Sequence, residues 1–159
     1  MNIALTILLL LSTTQNQNDS VMISLQRTHC YGPCPVYSVT IWGNGRVEFI
    51  GYEFVNTIGK KTYSIASKSV DSLVQKIFAM NFFSLNNSYV DVRSLQKRPD
   101  GGVDTIITVV SDLPSKYIKV KIGKIEKSVH DYYAGPKTLD ELEREIDRIA
   151  KTSQWIVKK

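Results

Sequence analysis

Apolar and polar residues alternate from Val21 to Thr28, with Val21, Ile23 and Leu25 on one side. A period of two sends successive side chains to opposite faces, so this stretch predicts a half-buried strand. Val36 to Trp42 is rich in β-branched and aromatic residues, Gly43-Asn44-Gly45 follows, and Arg46 to Val55 continues the pattern. Gly and Asn supply the positive φ that tight hairpin loops require, so the two runs predict a hairpin. Asn56 to Lys60 reads as a second turn and Lys61 to Ala66 as a further strand. The first half is therefore expected to be a four-stranded antiparallel meander.

The period changes after Ser69. Val70, Leu73, Val74, Ile77 and Phe78 fall on one face of a helix. Ser69 is placed to cap its first N–H groups, and Asp71 suits the positive end of its dipole. Asn81 is the expected stop, with Phe82 and Phe83 folding back onto the core. Residues 84–103 show little periodicity and end in Arg98-Pro99-Asp100-Gly101-Gly102, a strong turn signal. They read as a long loop, a feature that in compact domains is often functional.

Asp104 to Val110 is apolar on both faces, as in a central strand. A turn at Asp112 to Ser115 leads to Lys116–Ile122, with Ile118, Val120 and Ile122 inward and Tyr117, Lys119 and Lys121 outward. Residues 123–136 are expected to be irregular. Thr138 and Glu141 fit a capping box, and Leu139, Leu142, Ile146 and Ile149 form the buried stripe of a last helix. Trp155 and Ile156 are expected to pin the C-terminus. The order ββββ-α-ββ-α lacks βαβ alternation. It predicts an α+β domain over residues 21–156: an antiparallel sheet (four-strand meander, helix, β-hairpin, C-terminal helix) with a single layer of two helices packed on it.

The N-terminus has another character. Ile3 to Leu11 is nearly all apolar, Ser12-Thr13-Thr14 is small and polar, and Gln15 to Asn18 is a polar run. That order resembles a secretory signal over residues 1–18, although no Lys or Arg lies near Met1. The other reading is a docked or disordered N-terminus. The apolar run is about half of the ~20 residues that a spanning helix needs, so no transmembrane segment is expected in the mature chain. Export to the periplasm, the cell envelope or the medium follows. The net charge of +5 comes from dispersed basic residues. It favours weak contact with acidic surfaces and falls short of a nucleic-acid footprint, so no nucleic-acid partner is expected. Asn18-Asp19-Ser20 and Asn86-Asn87-Ser88 match the glycosylation pattern, a motif too short to carry weight alone.

Cys30 and Cys34 are the only cysteines, with Gly32-Pro33 bending the chain between them. Four readings stand. A structural disulfide suits an even cysteine count in an exported chain and would contribute about 2 kcal/mol from its short loop. Redox catalysis needs a lowered thiolate pKa, usually at a helix N-terminus, whereas Pro35 and a strand follow here. A metal site would recruit His29 and His130, with a spacing unlike a zinc finger's. Two reduced buried thiols are the fourth. The weight falls on the disulfide, and no metal or cofactor is expected.

His130-Asp131-Tyr132-Tyr133 could hold a general base beside a carboxylate, yet strand neighbours point to opposite faces. A loop packing its tyrosines on the last helix is the plainer account. Asp91, Arg93, Lys97, Arg98 and Asp100 decorate the long loop and could meet an anion, or simply solvate it. Arg98, His130, Asp131 and Tyr132 are the candidate ligand-binding residues. Glu48 and Glu53 lie on opposite faces by parity and make a poor hydrolytic pair. No phosphate loop, metalloprotease motif or dinucleotide fingerprint is present, so no catalytic residue is assigned.

One segment is more specific. Arg27-Thr28-His29-Cys30-Tyr31-Gly32-Pro33-Cys34-Pro35-Val36-Tyr37, followed by Gly43-Asn44-Gly45, resembles the opening of a bacterial family catalogued as domain of unknown function 6438. Its pattern is Arg-Thr-x-Cys-x-Gly-x-Cys-Pro-x-Tyr, then a strand and a Gly-x-Gly turn. Asn81 to Leu85, Asp131-Tyr132 and Ile146-Asp147-x-Ile149 also fit. The resemblance spans about residues 21 to 156 and implies an exported single domain without assigning catalysis. His29 stands where many members of the family carry Pro, which makes it a poor candidate for a shared mechanism. The combined reading is a non-catalytic binding or accessory module of the envelope; its partner is unknown, with an envelope protein or a small molecule as the candidates. The alternatives are a thiol-redox or metal-dependent enzyme using Cys30 and Cys34 with His29 or His130, and a purely structural envelope protein.

Intact mass spectrometry of secreted protein tests both halves of this reading. The mature chain should begin between Thr14 and Ser20. Both cysteines should resist alkylation until reduced. A chain starting at Met1, or thiols that react without reductant, would contradict it.

Overall fold

A computed structural model describes residues 20–108 and 110–156. The apolar N-terminal segment and the Asn18-Asp19-Ser20 sequon's first two residues lie outside them, as does Val109. The elements are β1 (Val21–Arg27), β2 (Val36–Trp42), β3 (Arg46–Glu53), β4 (Gly59–Ser64), α1 (Ser67–Ala79), β5 (Ser88–Tyr89), β6 (Val92–Lys97), β7 (Val103–Thr108), β8 (Lys116–Ile122), β9 (Ile125–Asp131) and α2 (Lys137–Ala150). Seven strands form one sheet in the order β4-β3-β2-β1-β8-β9-β5, while β6 and β7 form a separate two-stranded hairpin. All pairings in the large sheet are antiparallel except β5 with β9. The fold is α+β and mostly antiparallel, as expected.

Strand parity sets the core. Ile23, Leu25, Val39, Ile41, Val47, Ile118, Val120 and Val129 share one sheet face and are buried against both helices. α1 contributes Val70, Leu73 and Ile77, and α2 contributes Leu139, Leu142, Ile146 and Ile149. Each such side chain is worth about 1.5–3 kcal/mol relative to exposure. Phe78 sits at the edge of the α1 stripe and is exposed. A smaller cluster of Tyr37, Phe49 and Val55 is closed by Trp155 and Ile156. Val55 bridges to Ile156, which holds the C-terminus as anticipated. Asn81 adopts the left-handed conformation just after α1, and Phe82 is fully buried.

Several expectations need correction. The stretch read as irregular over residues 123–136 holds β9, whose Val129 and Asp131 alternate inward. The long loop contains β5 and β6. β8 does not pair with the strand before it, but inserts between β1 and β9. The apolar run at Asp104 to Val110 is not a central strand: β7 lies in the outer hairpin, and its six residues are all exposed. Neither helix uses its anticipated cap. α1 begins at Ser67 after Ala66, and α2 at Lys137 after Pro136, without a side-chain cap bond at either.

The β2–β3 turn shows why Gly45 is glycine. Its φ is +85°, and a Cβ there would sit 2.2 Å from the Ile65 carbonyl oxygen. Gly59 has a similar φ of +88° with open space around it. Gly59→Ala should cost only the left-handed strain, about 1 kcal/mol. Gly45→Ala should cost clearly more, ~3 kcal/mol or above, because backbone must also move. Urea denaturation of the two variants reads the difference, and equal losses would contradict it.

Candidate functional site

Three inward-facing strand positions at one end of the sheet carry charge or hydroxyl in place of a hydrocarbon. Arg27 ends the apolar face of β1, Lys116 begins that of β8, and Asp131 ends that of β9. The Tyr37 hydroxyl joins them from β2, and α2 covers all four with Asp140, Glu143 and Asp147. Arg27 pairs with Asp147 through Nη2 at 2.8 Å and with Glu143 through Nη1 at 3.4 Å. The Tyr37 hydroxyl donates to Asp147 Oδ1 at 2.8 Å and accepts from Arg27 Nε at 2.9 Å. Thr152 donates to the same Oδ1 at 2.9 Å, tying the turn after α2 to the network.

Lys116 is the second centre. Its Nζ lies 2.8 Å from Asp131, 3.1 Å from Asp140 and 3.2 Å from Glu143. Three carboxylates within reach of one another would suit a metal ion. Here the ammonium already stands among them, and its three donors match the three acceptors. The cluster is a lysine-centred ion network, and it assigns no metal.

Burial governs the protonation of this network. Desolvation pushes the Glu143 carboxyl up to about 7, against the lowering by Lys116 and Arg27. Burial opposes the Lys116 charge, yet hydrogen bonding to Asp131 and the charge of Glu143 carry its pKa above the usual lysine value. Burial likewise raises the Tyr37 phenol. Glu143 Oε1 is buried without a hydrogen-bond partner among the described residues.

The cysteine loop hangs directly on the network. Thr28 N–H donates to the Ser115 carbonyl at 3.0 Å, and Ser115 N–H donates to Thr28 Oγ1 at 2.9 Å. Beyond it, the Cys30 and Cys34 Cα atoms are 5.8 Å apart, with their sulfurs at bonding distance. Gly32 has a φ of +141° and links the turn through N–H to the Cys30 carbonyl. The pair is followed by β2 and not by a helix. His29 pairs with Glu53 at 3.1 Å on the surface. His130 and the cysteines do not form a ligand cluster among the described residues.

The anticipated ligand residues separate. His130 and Tyr132 line an open groove of about 400 Å³ with Val90, Asp91 and Ser115. Asp131 points to the opposite face and belongs to the Lys116 network. Arg98 lies at the tip of the β6–β7 hairpin, facing Asp100 and Asp104 at 3.3 Å each. Within the groove His130 Nε2 is 2.9 Å from Ser115 Oγ, and its ring stacks on Tyr117 at 4.3 Å. Among the described residues no carboxylate is bonded to His130, and the Ser115 N–H is taken by Thr28. The pair therefore lacks the orienting group and the free donors of a hydrolytic site.

Sequence reasoning missed the ion network, although a signal existed. Arg27, Lys116 and Asp131 share the parity of their strands' apolar residues. Glu143 and Asp147 lie four and eight positions beyond Leu139 on the buried side of α2. Charges on apolar faces, all gathered by topology at one end, were its mark.

Glu143 makes the network sensitive to pH. A carboxyl whose folded pKa exceeds its unfolded value contributes stability that is complete below about 4.5 and is lost as pH rises through about 7. Arg27, Lys116, Asp131, Asp140 and Asp147 are the charges around it. Between pH 5 and 8 the wild-type chain should lose up to ~3 kcal/mol relative to Glu143→Gln. Urea denaturation at the two pH values reads this, and a difference that does not change with pH would contradict it.

The quoted motif pieces now have physical roles. Arg27, Tyr37 and Asp147 are one hydrogen-bonded set, Thr28 clasps Ser115, and Asp131 holds Lys116. No curated protein matches the chain. The family model described as Domain of unknown function (DUF6438) matches residues 21–150. With the family model matching most of its length, the chain belongs to the DUF6438 family.

Proposed function

We propose that this protein is an exported, non-catalytic binding or accessory module of the cell envelope. Its contact surface is the β6–β7 hairpin with the groove at the hairpin's base. The observation that carries the reading is the hairpin's exposure. Val92, Leu95, Val103, Ile106 and Ile107 are all exposed, and among the described residues β6 and β7 pair only with each other. Isolated two-stranded hairpins are marginal in water, and clustered exposed apolar side chains mark interaction sites.

Further support comes from the rest of the molecule. The two segments singled out in the sequence, residues 84–103 and 123–136, meet where β5 pairs with β9, beside the groove. The buried charges of the main body are engaged with one another. A disulfide between Cys30 and Cys34 fits an oxidising compartment. No helix among the described residues is long and apolar enough to cross a membrane.

Site-specific photo-crosslinking in the producing cell tests this. A photoreactive residue at Leu95 should yield a discrete adduct, while one at the exposed Gln75 of α1 should not. Equal labelling from both positions would overturn the reading.

A further inference from the structure

β7 carries the pattern of a central strand in the place of an edge strand. Its residues are Val103-Asp104-Thr105-Ile106-Ile107-Thr108, strongly β-forming and with a single ionisable side chain. One edge pairs with β6, and no strand among the described residues pairs with the other. Such an edge is a template for another strand. We propose that the strand it accepts is β7 of a second copy, forming an antiparallel β6-β7-β7-β6 sheet across a two-fold axis at Thr105. This rests on the hairpin being the contact surface and names its occupant.

The register argues for a second copy. Val103, Thr105 and Ile107 share one face, with Lys97, Leu95 and Arg93 opposite them on β6. Centring two β7 strands on Thr105 sets each Val103 against the other copy's Ile107. It also brings both Leu95 side chains to flank the axis. Leu95, Val103 and Ile107 are 76%, 57% and 54% exposed, and in this pairing all six side chains form one strip. Asp104 falls opposite Ile106, so the two carboxylates do not meet. Thr108, whose carbonyl already accepts from the Tyr133 hydroxyl, lies outside the paired span.

Charge favours the same occupant. The whole chain is +5, so two copies repel each other overall. Residues 91–104 hold three cations (Arg93, Lys97, Arg98) against three carboxylates (Asp91, Asp100, Asp104), a net charge of zero. On β6, by contrast, an antiparallel copy centred on Leu95 would set Arg93 opposite Lys97, and like charges there are unfavourable. A two-fold axis uses the same patch twice and closes the assembly at two. The strands are short, so the contact belongs with weak, reversible interfaces.

Sedimentation equilibrium of the full mature chain, raised to millimolar concentration, tests the pairing. A reversible monomer–dimer equilibrium is expected. Ile107→Lys, at an exposed position, should leave the circular dichroism spectrum unchanged and weaken dimerisation about tenfold or more. Directly opposed antiparallel residues are about 4.5–5.5 Å apart at Cα, within disulfide range. Thr105→Cys should therefore give a covalent dimer on mild oxidation, while Ile106→Cys should not. A monomer at every concentration, or equal cross-linking of the two cysteine variants, would overturn the self-pairing. If Leu95 photo-crosslinks a different protein while the chain stays monomeric, self-pairing fails and the binding-module reading stands.

Discussion

A guanidinium beneath a helix must be met by an anion, and Arg27 is met by Asp147. Much of the molecule's detail follows from that pair. The side chain extends from the last residue of β1, so it fixes which turn of α2 lies over the end of the sheet. Tyr37 and Thr152 bind the same carboxylate from β2 and from the turn after α2. One acid thereby sets the rotation of the helix and the direction in which the chain leaves it. Trp155 then reaches Phe49 and Tyr63, and Ile156 reaches Val55. The pair is half-buried, so removing one partner costs less than the about 3–5 kcal/mol of a fully buried pair, since water still reaches the charge left behind. The return on keeping both partners is smaller than that, and its benefit is one defined docking of helix on sheet.

The Lys116 centre repeats the device one strand pair away, where Asp131 and Glu143 join β9 and α2 to β8. The two centres share Glu143, which touches both cations. Its raised pKa reflects a conflict: the cations favour the charged form, and desolvation opposes it. The cysteine loop depends on the same end of the sheet. Arg27 is followed by Thr28, whose paired bonds to Ser115 hold the start of β8 beside the start of the loop. Cys30 and Cys34 then close a turn whose entrance is already fixed. The cysteine pair thus finishes an arrangement that the ion network begins.

The meander, both helices and the C-terminal anchor were legible because each pairs a clear period with a clear stop. Gly43-Asn44-Gly45 sits between two β-branched runs, and Leu139, Leu142, Ile146 and Ile149 mark one face of α2. The region after α1 was not legible, for a physical reason. Val103 to Thr108 has the composition of a buried strand, and composition reports how well a segment pairs, not where its partner lies. β9 was obscured because Lys127, Ser128 and His130 interrupt its apolar side chains, leaving Val129 as its one buried hydrocarbon. Among the candidate site residues, His130 and Tyr132 share the groove. Parity was enough to place Asp131 on the other face, and only topology could carry Arg98 out to the hairpin tip.

These features divide the molecule into two unlike parts. The body closes one sheet face and both helices on a common core, and it pairs the cations and carboxylates at the sheet's end with one another. The hairpin does not, since every residue of β6 and β7 is exposed and the apolar ones lie on both faces. A hairpin without a core of its own gains little from folding alone. The division also separates two kinds of substitution. A change at Arg27 or Asp147 acts on the fold, because these side chains join the end of β1 to α2. A change at Leu95 or Ile107 removes nothing that the body uses. The hairpin's sequence can therefore change without disturbing the network that the family motif builds.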